Sequence, residues 1–134
     1  MTDKLPERAK ELLDGTELVV LTTLNADGSP HSTPIWALRD GDDVLMSTVA
    51  RRVKARNLER DPRASVVVID PENPVRYFSI NGSVAVSLDE DRRVLDQLSI
   101  KYMGKPYPPE DAANVRVVLR LTPSRVTAQY EPAK

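Results

Sequence analysis

Cysteine is absent from the 134 residues of this chain, and histidine occurs once, as His31. Without cysteine there is no disulfide, no thiol nucleophile and no cysteine-ligated zinc or iron–sulfur centre. A single histidine likewise excludes a multi-histidine metal centre, so we expect no metal site. Aromatic residues make up only 4% of the chain, which predicts an aliphatic core that is completed by association with a second copy.

Long apolar runs are also lacking, and the N-terminus is polar and charged. A bilayer-spanning helix needs about 20 predominantly apolar residues, and a signal peptide needs an apolar stretch near its start. We therefore expect a cytoplasmic protein with no membrane partner. The net charge of −1 gives no general attraction for nucleic acid, and no aromatic residues alternate with the arginines for base stacking.

One strongly basic segment, residues 51–60 with the order RRVKARNLER, stands out in what the sequence does contain. It follows a strand-like run that ends in Ser47 and Thr48, residues of the kind that cap helices. A short helix is therefore predicted after them, and it should end near residues 61–62, because a residue before proline is pushed out of helical space.

Cations crowd the start of this predicted helix, where the helix dipole and like charges both oppose them. Arg51, Arg52 and Lys54 stand at the opening, and Arg56 and Arg60 follow at helical spacing. Helix amides together with arginine and lysine side chains form a physically plausible phosphate site. The alternative is a solvated basic face without a ligand.

The rest of the chain predicts a mainly β fold with accessory helices. Helices are expected over 4–14 and 89–103, and strands over 18–24, 31–38, 44–48, 64–70, 76–88, 115–121 and 126–130, the last two separated at Pro123. The apolar strand 64–70 is predicted to be buried on both faces, and Gly82 predicts a bulge. Six or seven antiparallel strands in one domain, residues 1–134, favour a closed barrel because closure removes exposed edges.

The single histidine and three of the tyrosines are further candidates for a functional role. His31 has no second histidine nearby in the sequence, and we expect it at the protein surface or at a rim rather than as a general acid or base. Tyr102, Tyr107 and Tyr130 are expected either to line a substrate mouth or to cover the barrel ends.

Several short motifs follow one another in a recognisable order. They are LTTL at 21–24, DGSP at 27–30, TPIW at 33–36, ST at 47–48, RVKARNL at 52–58, DPRAS at 61–65 and the glycine at 82. Together, over about residues 5–130, the chain resembles the pyridoxamine-phosphate-oxidase-like split β-barrel family, and most closely its actinobacterial branch that uses the deazaflavin coenzyme F420. The resemblance implies an FMN-binding-like, homodimeric fold with cofactor sites in clefts between the two barrels.

The resemblance also implies which residues bind the cofactor, and it implies no catalytic side chain. Arg52 and Lys54 would hold the phosphate, assisted by Ser47 and Thr48, and Tyr77 or its neighbour Phe78 would come from the opposite subunit. The residues implied along the tricyclic ring are Thr33, Pro34, Ile35 and Trp36. For Trp36 the alternative is a core or interface aromatic.

The implied activity is an F420-dependent transfer of hydride from the reduced deazaflavin to an electron-poor small organic substrate. FMN remains an alternative cofactor, and a non-catalytic F420- or flavin-binding protein remains an alternative function. The deazaflavin carries an acidic oligoglutamate tail that FMN lacks. Arg51, Arg56 and Arg60 exceed what one phosphate requires, and we take them to favour the longer anion.

Overall fold

Seven strands and three α-helices make up residues 3–129, the part of the chain that the computed structural model describes. The elements are α1 Glu7–Asp14, β1 Val19–Leu24, β2 Pro30–Ile35, β3 Leu38–Asp40, β4 Asp43–Val49, α2 Val53–Arg60, β5 Arg63–Ile69, β6 Tyr77–Leu88, a 3-10 turn Glu90–Arg92, α3 Arg93–Met103 and β7 Arg116–Gln129. Among these residues, no helix is both long and apolar enough to cross a membrane.

All seven strands belong to one antiparallel sheet in the order β2-β1-β5-β6-β7-β4-β3. The two outermost strands, β2 and β3, are separated in the chain only by Trp36 and Ala37. Such a link spans no more than about 11 Å, so the two edges of the sheet must come together. The sheet is therefore curled into a split barrel. The prediction of a mainly β fold with six or seven antiparallel strands is confirmed, and the number is seven.

The core lies inside this curled sheet and is aliphatic, as the composition predicts. Along β1 the buried and half-buried residues alternate, the pattern of a strand with one face on the core. Each fully buried aliphatic side chain stabilises the fold by about 1.5–3 kcal/mol. The largest of them include Leu21, Met46, Ile80, Leu119 and Leu121. On α1 the spacing of Ala9, Leu12 and Leu13 buries one helix face against the same core.

The predicted strand 31–38 is wrong in one respect, because β2 ends at Ile35 and β3 begins at Leu38. The backbone of Ala37 turns away from the sheet and bonds to α3 instead. Its N–H donates to the Tyr102 hydroxyl at 3.1 Å, and its carbonyl oxygen accepts from Lys101 Nζ at 2.6 Å. These partners lie more than 60 residues along the chain, so no local pattern could have revealed the break.

The predicted interruption at Pro123 is also wrong, whereas the bulge at Gly82 is confirmed. β7 continues through Pro123, which pairs with Gly82, and the register between β6 and β7 shifts between Asn81 and Gly82. A bulge is one of the few places where a sheet accepts proline. A Cβ on Gly82 would overlap the carbonyl oxygen of Thr122, so the close approach of the two strands requires glycine.

Only one face of β5 is buried, in contrast to the prediction for strand 64–70. Val66 and Val68 are fully buried, whereas Ile69 is 47% exposed. Successive side chains of a strand point to opposite faces, and the outer-face positions of β5 are exposed or only half-buried among the described residues. The apolar residues of this run therefore contribute to an outer surface as well as to the core.

The third helix begins four residues later than predicted. Asp91 and Arg92 both adopt left-handed backbone angles, with φ of 57° and 56°, and α3 starts at Arg93. The buried carboxylate of Asp89 accepts hydrogen bonds from the backbone N–H groups of Val94 and Leu95, both at 2.9 Å. Asp89 therefore satisfies two of the free amides at the start of α3, which is the structural role expected of an acid there.

Candidate functional site

The predicted basic helix exists as α2, and Arg52 occupies its N-cap position without a side-chain capping bond. Ser47 and Thr48 lie inside β4, so the expectation that they cap this helix is wrong. Buried Asn57 fixes α2 against the barrel: its Nδ2 donates to Thr23 Oγ1 and to Asn25 Oδ1, both at 3.0 Å. The second turn of α2 is thus tied to β1 and to the turn that follows it.

A small cavity of about 120 Å³, the cationic cavity, lies between the start of α2 and β2. Its lining consists of His31, Thr33, Arg52, Val53 and Lys54. His31 and Thr33 are two positions apart on a strand, so their side chains share one face. Two cations, a hydroxyl and an imidazole therefore converge with the helix end, where the first amides lack partners within the helix.

The cationic cavity is electrostatically unfavourable when nothing negative is nearby. Burial, together with the positive charge of Arg52, lowers the pKa of Lys54. Two more polar atoms of the lining, Thr33 Oγ1 and His31 Nδ1, are buried without a hydrogen-bond partner among the described residues. A bound phosphate would offset the charge repulsion and accept hydrogen bonds from these groups. The residues present therefore fit a phosphate.

His31 is the site residue that the sequence interpretation missed. It is half-buried and lines the cationic cavity, which agrees with the rim position expected for it, but a place in a candidate ligand site was not predicted. The available signal was its spacing of two from Thr33, which places both side chains on the same face of one strand.

The remaining arginines do not converge on this cavity. Arg51 donates to the carbonyl oxygen of Ala113 at 3.2 Å, and Arg60 donates to Asn57 Oδ1 at 3.2 Å. Arg56 is exposed, one helical turn beyond Arg52. Of the three further arginines of this segment, Arg56 is thus the one whose side chain makes no hydrogen bond within the part of the chain that the structure describes.

A second cavity of about 300 Å³, the aromatic cavity, opens beside the end of β2. Residues of β2, β4, β7 and α3 line it together with the segments next to them: Leu18, Pro34, Ile35, Trp36, Ser47, Leu95, Leu98, Tyr107 and Arg116. Three of the four residues implied along the ring, Pro34 to Trp36, are therefore brought together here. The fourth, Thr33, lines the cationic cavity one residue earlier on the same strand.

Aromatic rings and one ion pair fix the walls of the aromatic cavity. The Trp36 ring stacks on Tyr102 at 5.3 Å between centroids, and Tyr107 meets it edge-on at 6.4 Å. The Arg116 guanidinium lies 5.1 Å from the Tyr107 centroid and binds Glu110 through Nε at 2.8 Å and Nη2 at 3.2 Å. The mouth role considered for Tyr107 is compatible with this position, whereas Arg116 had no signal in the sequence.

The other predicted site residues lie apart from the cationic cavity. Ser47 lines the aromatic cavity, and Thr48 is buried on the opposite side of β4. Tyr77 lies at the start of β6 opposite Ile69 and lines neither cavity. Phe78 is buried in the core, so Tyr77 is the exposed one of the two aromatic candidates. Tyr130 lies outside the described residues.

Comparison with known proteins identifies the family of this chain. The sequence profile of the pyridoxamine 5'-phosphate oxidase family matches residues 5–130. The chain belongs to this family. The resemblance suggested by the order of the motifs is thereby confirmed, and it extends over both strands and helices that form the two cavities.

Individual known proteins resemble the chain to different degrees. A solved F420 reductase is 30% identical, with a TM-score of 0.82, over 92% of this chain and 98% of that one. An F420H(2)-dependent biliverdin reductase of Mycobacterium tuberculosis is 28% identical over 90 residues, 67% of this chain and 65% of the reductase. An FMN-binding protein of Nostoc punctiforme related to pyridoxamine 5'-phosphate oxidase is 19% identical, with a TM-score of 0.62, over 84% of this chain and 73% of that protein; this likeness concerns the fold alone.

Proposed function

We propose that the protein is an F420-dependent oxidoreductase that reduces an electron-poor small organic substrate. One observation carries the proposal: a cationic cavity and an aromatic cavity follow one another along β2, lined by residues 31 and 33 and by residues 34–36. Because a strand rises about 3.3 Å per residue, residues 31–36 hold the two cavities next to each other along one line. One elongated molecule could therefore place one end in each cavity. A phosphate at one end and a flat ring at the other describe both the deazaflavin and FMN.

Each cavity has the chemistry that its end of the cofactor requires. Arg52, Lys54, His31 and Thr33 would bind the phosphate, and the extended backbone of residues 33–36 would run along the ring edge. When bound in its reduced form, the deazaflavin would supply the hydride. The protein would then have to hold the ring in place and exclude water from it. These tasks need no acid–base pair, and the sequence predicts none.

The choice of the deazaflavin over FMN draws on the relatives and on charge. The F420 reductase structure and the biliverdin reductase both use F420 by name, although this chain spans less than two thirds of the latter's length. Exposed Arg56 beyond the cationic cavity also suits an acidic tail. FMN remains the second candidate, because its phosphate and ring would meet the same two cavities.

Parallel titration of the purified protein with F420 and with FMN, followed by calorimetry, tests the cofactor. We expect tighter binding of F420. Arg52→Ala and Lys54→Ala should each weaken cofactor binding by about 1–3 kcal/mol, the loss expected for a charge-assisted contact. The exposed Arg125→Ala on β7 is the matched control and should leave the affinity unchanged. Unchanged affinity in both site variants would contradict the phosphate assignment.

A second measurement separates an enzyme from a protein that only stores the cofactor. Reduced F420 is mixed with an unsaturated ketone, with and without the protein, and its oxidation is followed by absorbance. An enzyme should accelerate the oxidation relative to free cofactor. Binding without acceleration, across a panel of such ketones, would favour the storage function.

A further inference from the structure

We infer that His31 takes up a proton from solvent when an oxyanion such as a phosphate group binds in the cationic cavity. Anion binding there should therefore strengthen as the pH falls through the range in which an imidazole changes its charge, about pH 8 to 5. This coupling adds a regulation by pH to the site assigned to the cofactor phosphate, so it rests on the proposed function and deepens it.

One ring nitrogen of His31 is left without a protein partner. Its Nδ1 is buried and forms no hydrogen bond among the described residues, and the Thr33 hydroxyl in the same lining is in the same position. A buried polar atom without a partner costs free energy, which a ligand with the complementary group removes. A protonated imidazole donates from both nitrogens, so it is the charged form of His31 that best matches the oxygens of an anion.

Two neighbouring cations link the charge of His31 to the bound anion. Arg52 and Lys54 line the same small cavity, and like charges disfavour the protonated form of a nearby base. Lys54 already shows this effect, because burial and, second to it, the charge of Arg52 lower its pKa. An oxyanion in the cavity brings the opposite charge beside the ring and favours its protonated form. Binding of the anion and binding of the proton therefore reinforce each other.

The groups that face His31 leave this role to an anion from outside. β2 is an edge strand, and its one neighbour, β1, presents the uncharged Thr23 opposite His31. From α2, Arg52 and Lys54 are the charged residues of the cavity lining, and this lining contains no carboxylate among the described residues. No acidic side chain of the lining therefore neutralises a charge on the ring.

The carboxylates of the adjacent turns have partners of their own. Asp27, in the turn before β2, accepts hydrogen bonds from the backbone N–H and the hydroxyl of Ser29. Asp61, which follows α2, forms an ion pair with Arg63 at 2.7 Å. These bonds hold the two acids in local contacts, so an external oxyanion is the negative group that the cavity can receive.

Sulfate tests the coupling without the cofactor, because its charge does not change over the pH range used. Calorimetric titrations of the purified protein at pH 6, 7 and 8 should show an affinity at least fivefold higher at pH 6 than at pH 8. Titrations at pH 7 in two buffers with different enthalpies of ionisation count the protons, and we expect net uptake of up to one proton per sulfate. Absence of sulfate binding, or binding with no proton uptake and no pH dependence, would overturn the inference.

Nuclear magnetic resonance of the wild type identifies the group that takes up the proton. His31 is the only histidine of the chain, so its ring signals report its charge without overlap from another imidazole. Saturating sulfate should move the midpoint of this titration to higher pH. An unmoved midpoint would overturn the inference, because His31 would then bind the anion as a neutral donor.

Two variants separate His31 from Lys54, the other group whose charge can change in this cavity. His31→Asn retains a hydrogen-bond donor but cannot take up a proton, and its affinity for sulfate should be the same at pH 6 and pH 8 within twofold. Lys54→Arg keeps a permanent positive charge and should retain the pH dependence. Circular dichroism checks that both are folded. PH dependence that persists in His31→Asn and disappears in Lys54→Arg would overturn the assignment to His31.

Titrations with F420 distinguish this inference from the proposed function. Any titrating group of the cofactor affects wild type and His31→Asn equally, so the readout is the difference between their pH profiles, and we expect the steeper profile in the wild type. F420 binding with identical profiles would overturn the inference alone. Proton uptake with sulfate but no binding of F420 would contradict the proposed function and leave the role of His31 supported.

Discussion

The rings of Trp36 and Tyr102 lie 5.3 Å apart between centroids, with their planes 7° from parallel. Tyr102 also accepts a hydrogen bond from the Ala37 N–H, and Lys101 donates to the Ala37 carbonyl oxygen. Two consecutive residues of α3 therefore set the position of the segment that ends β2. Because Trp36 lines the aromatic cavity, the orientation of one cavity wall depends on this helix.

Lys101 should make the stability of the protein depend on pH. Burial lowers the pKa of Lys101 to about 8 from the usual 10.5, although nearby Asp14 opposes the shift. Between these two values the unfolded chain binds more protons than the folded one, so the free energy of unfolding should rise with pH. Urea denaturation at pH 7.5, 8.5 and 9.5 measures this rise in the wild type and in Lys101→Met, in which it should be smaller.

The matched control for this experiment is Lys4→Met, which removes an exposed lysine and should keep the wild-type pH dependence. The highest pH stays below the range in which Tyr102 ionises, because burial raises the pKa of its hydroxyl. A wild type and a Lys101→Met variant with identical pH profiles would show that Lys101 is not the group that titrates.

Arg56 should distinguish cofactors with an acidic tail from cofactors without one. It is exposed, and it lies one helical turn beyond Arg52. We expect Arg56→Glu to weaken the binding of F420 with a long oligoglutamate tail at least fivefold, because an attraction becomes a repulsion. The affinity for FMN should not change. Arg125→Glu, the same charge reversal on β7, serves as the control, and an equal loss for both cofactors would contradict a role in tail binding.

Gly82 should tolerate no side chain. A Cβ at this position would overlap the Thr122 carbonyl oxygen and touch the Leu121 side chain, and the carbonyl oxygen cannot move without disturbing the β6–β7 pairing. Gly82→Ala should lower the free energy of unfolding by about 1–3 kcal/mol, the usual cost of overpacking. Urea denaturation measures the loss, and the neighbouring exposed Ser83→Ala should change stability by less than about 0.5 kcal/mol. A fully stable Gly82→Ala would mean that the strands separate easily at the bulge.

A homodimer through the outer face of β5 and β6 remains a prediction. Ile69 and Tyr77 stand opposite each other in the register, and they are 47% and 37% exposed. Opposite residues share one face of a sheet, so together they form an apolar patch that suits a second copy. Ile69→Asp should turn a dimer into a monomer in analytical ultracentrifugation and should weaken cofactor binding if Tyr77 reaches the partner's site.

Leu88→Asp is the control for the dimer experiment, because Leu88 is 66% exposed but lies at the other end of β6. It should leave the dimer intact. A wild-type protein that sediments as a monomer at all concentrations would contradict the predicted assembly.

Features that depend on neighbours in sequence could be predicted from the sequence alone. The alternation along β1, the spacing of Leu12 and Leu13 on α1 and the position of the basic helix α2 follow from local periodicity. The bulge at Gly82 could be predicted as well, because a glycine inside a strand often marks a bulge, a bend or the close approach of another backbone. The order of short motifs then indicated the family.

Only the tertiary structure decided how these elements form a site. It ended β2 at Ile35, because the Ala37 backbone finds its partners on α3 rather than in the sheet. It placed His31 beside Lys54 and Arg116 against Tyr107, and it separated Ser47 from the basic helix. A periodic pattern determines which face of an element is apolar, but it carries no information about which distant residues meet that face. The two cavities exist only where the curled sheet brings β2, β4, β7 and the helices together.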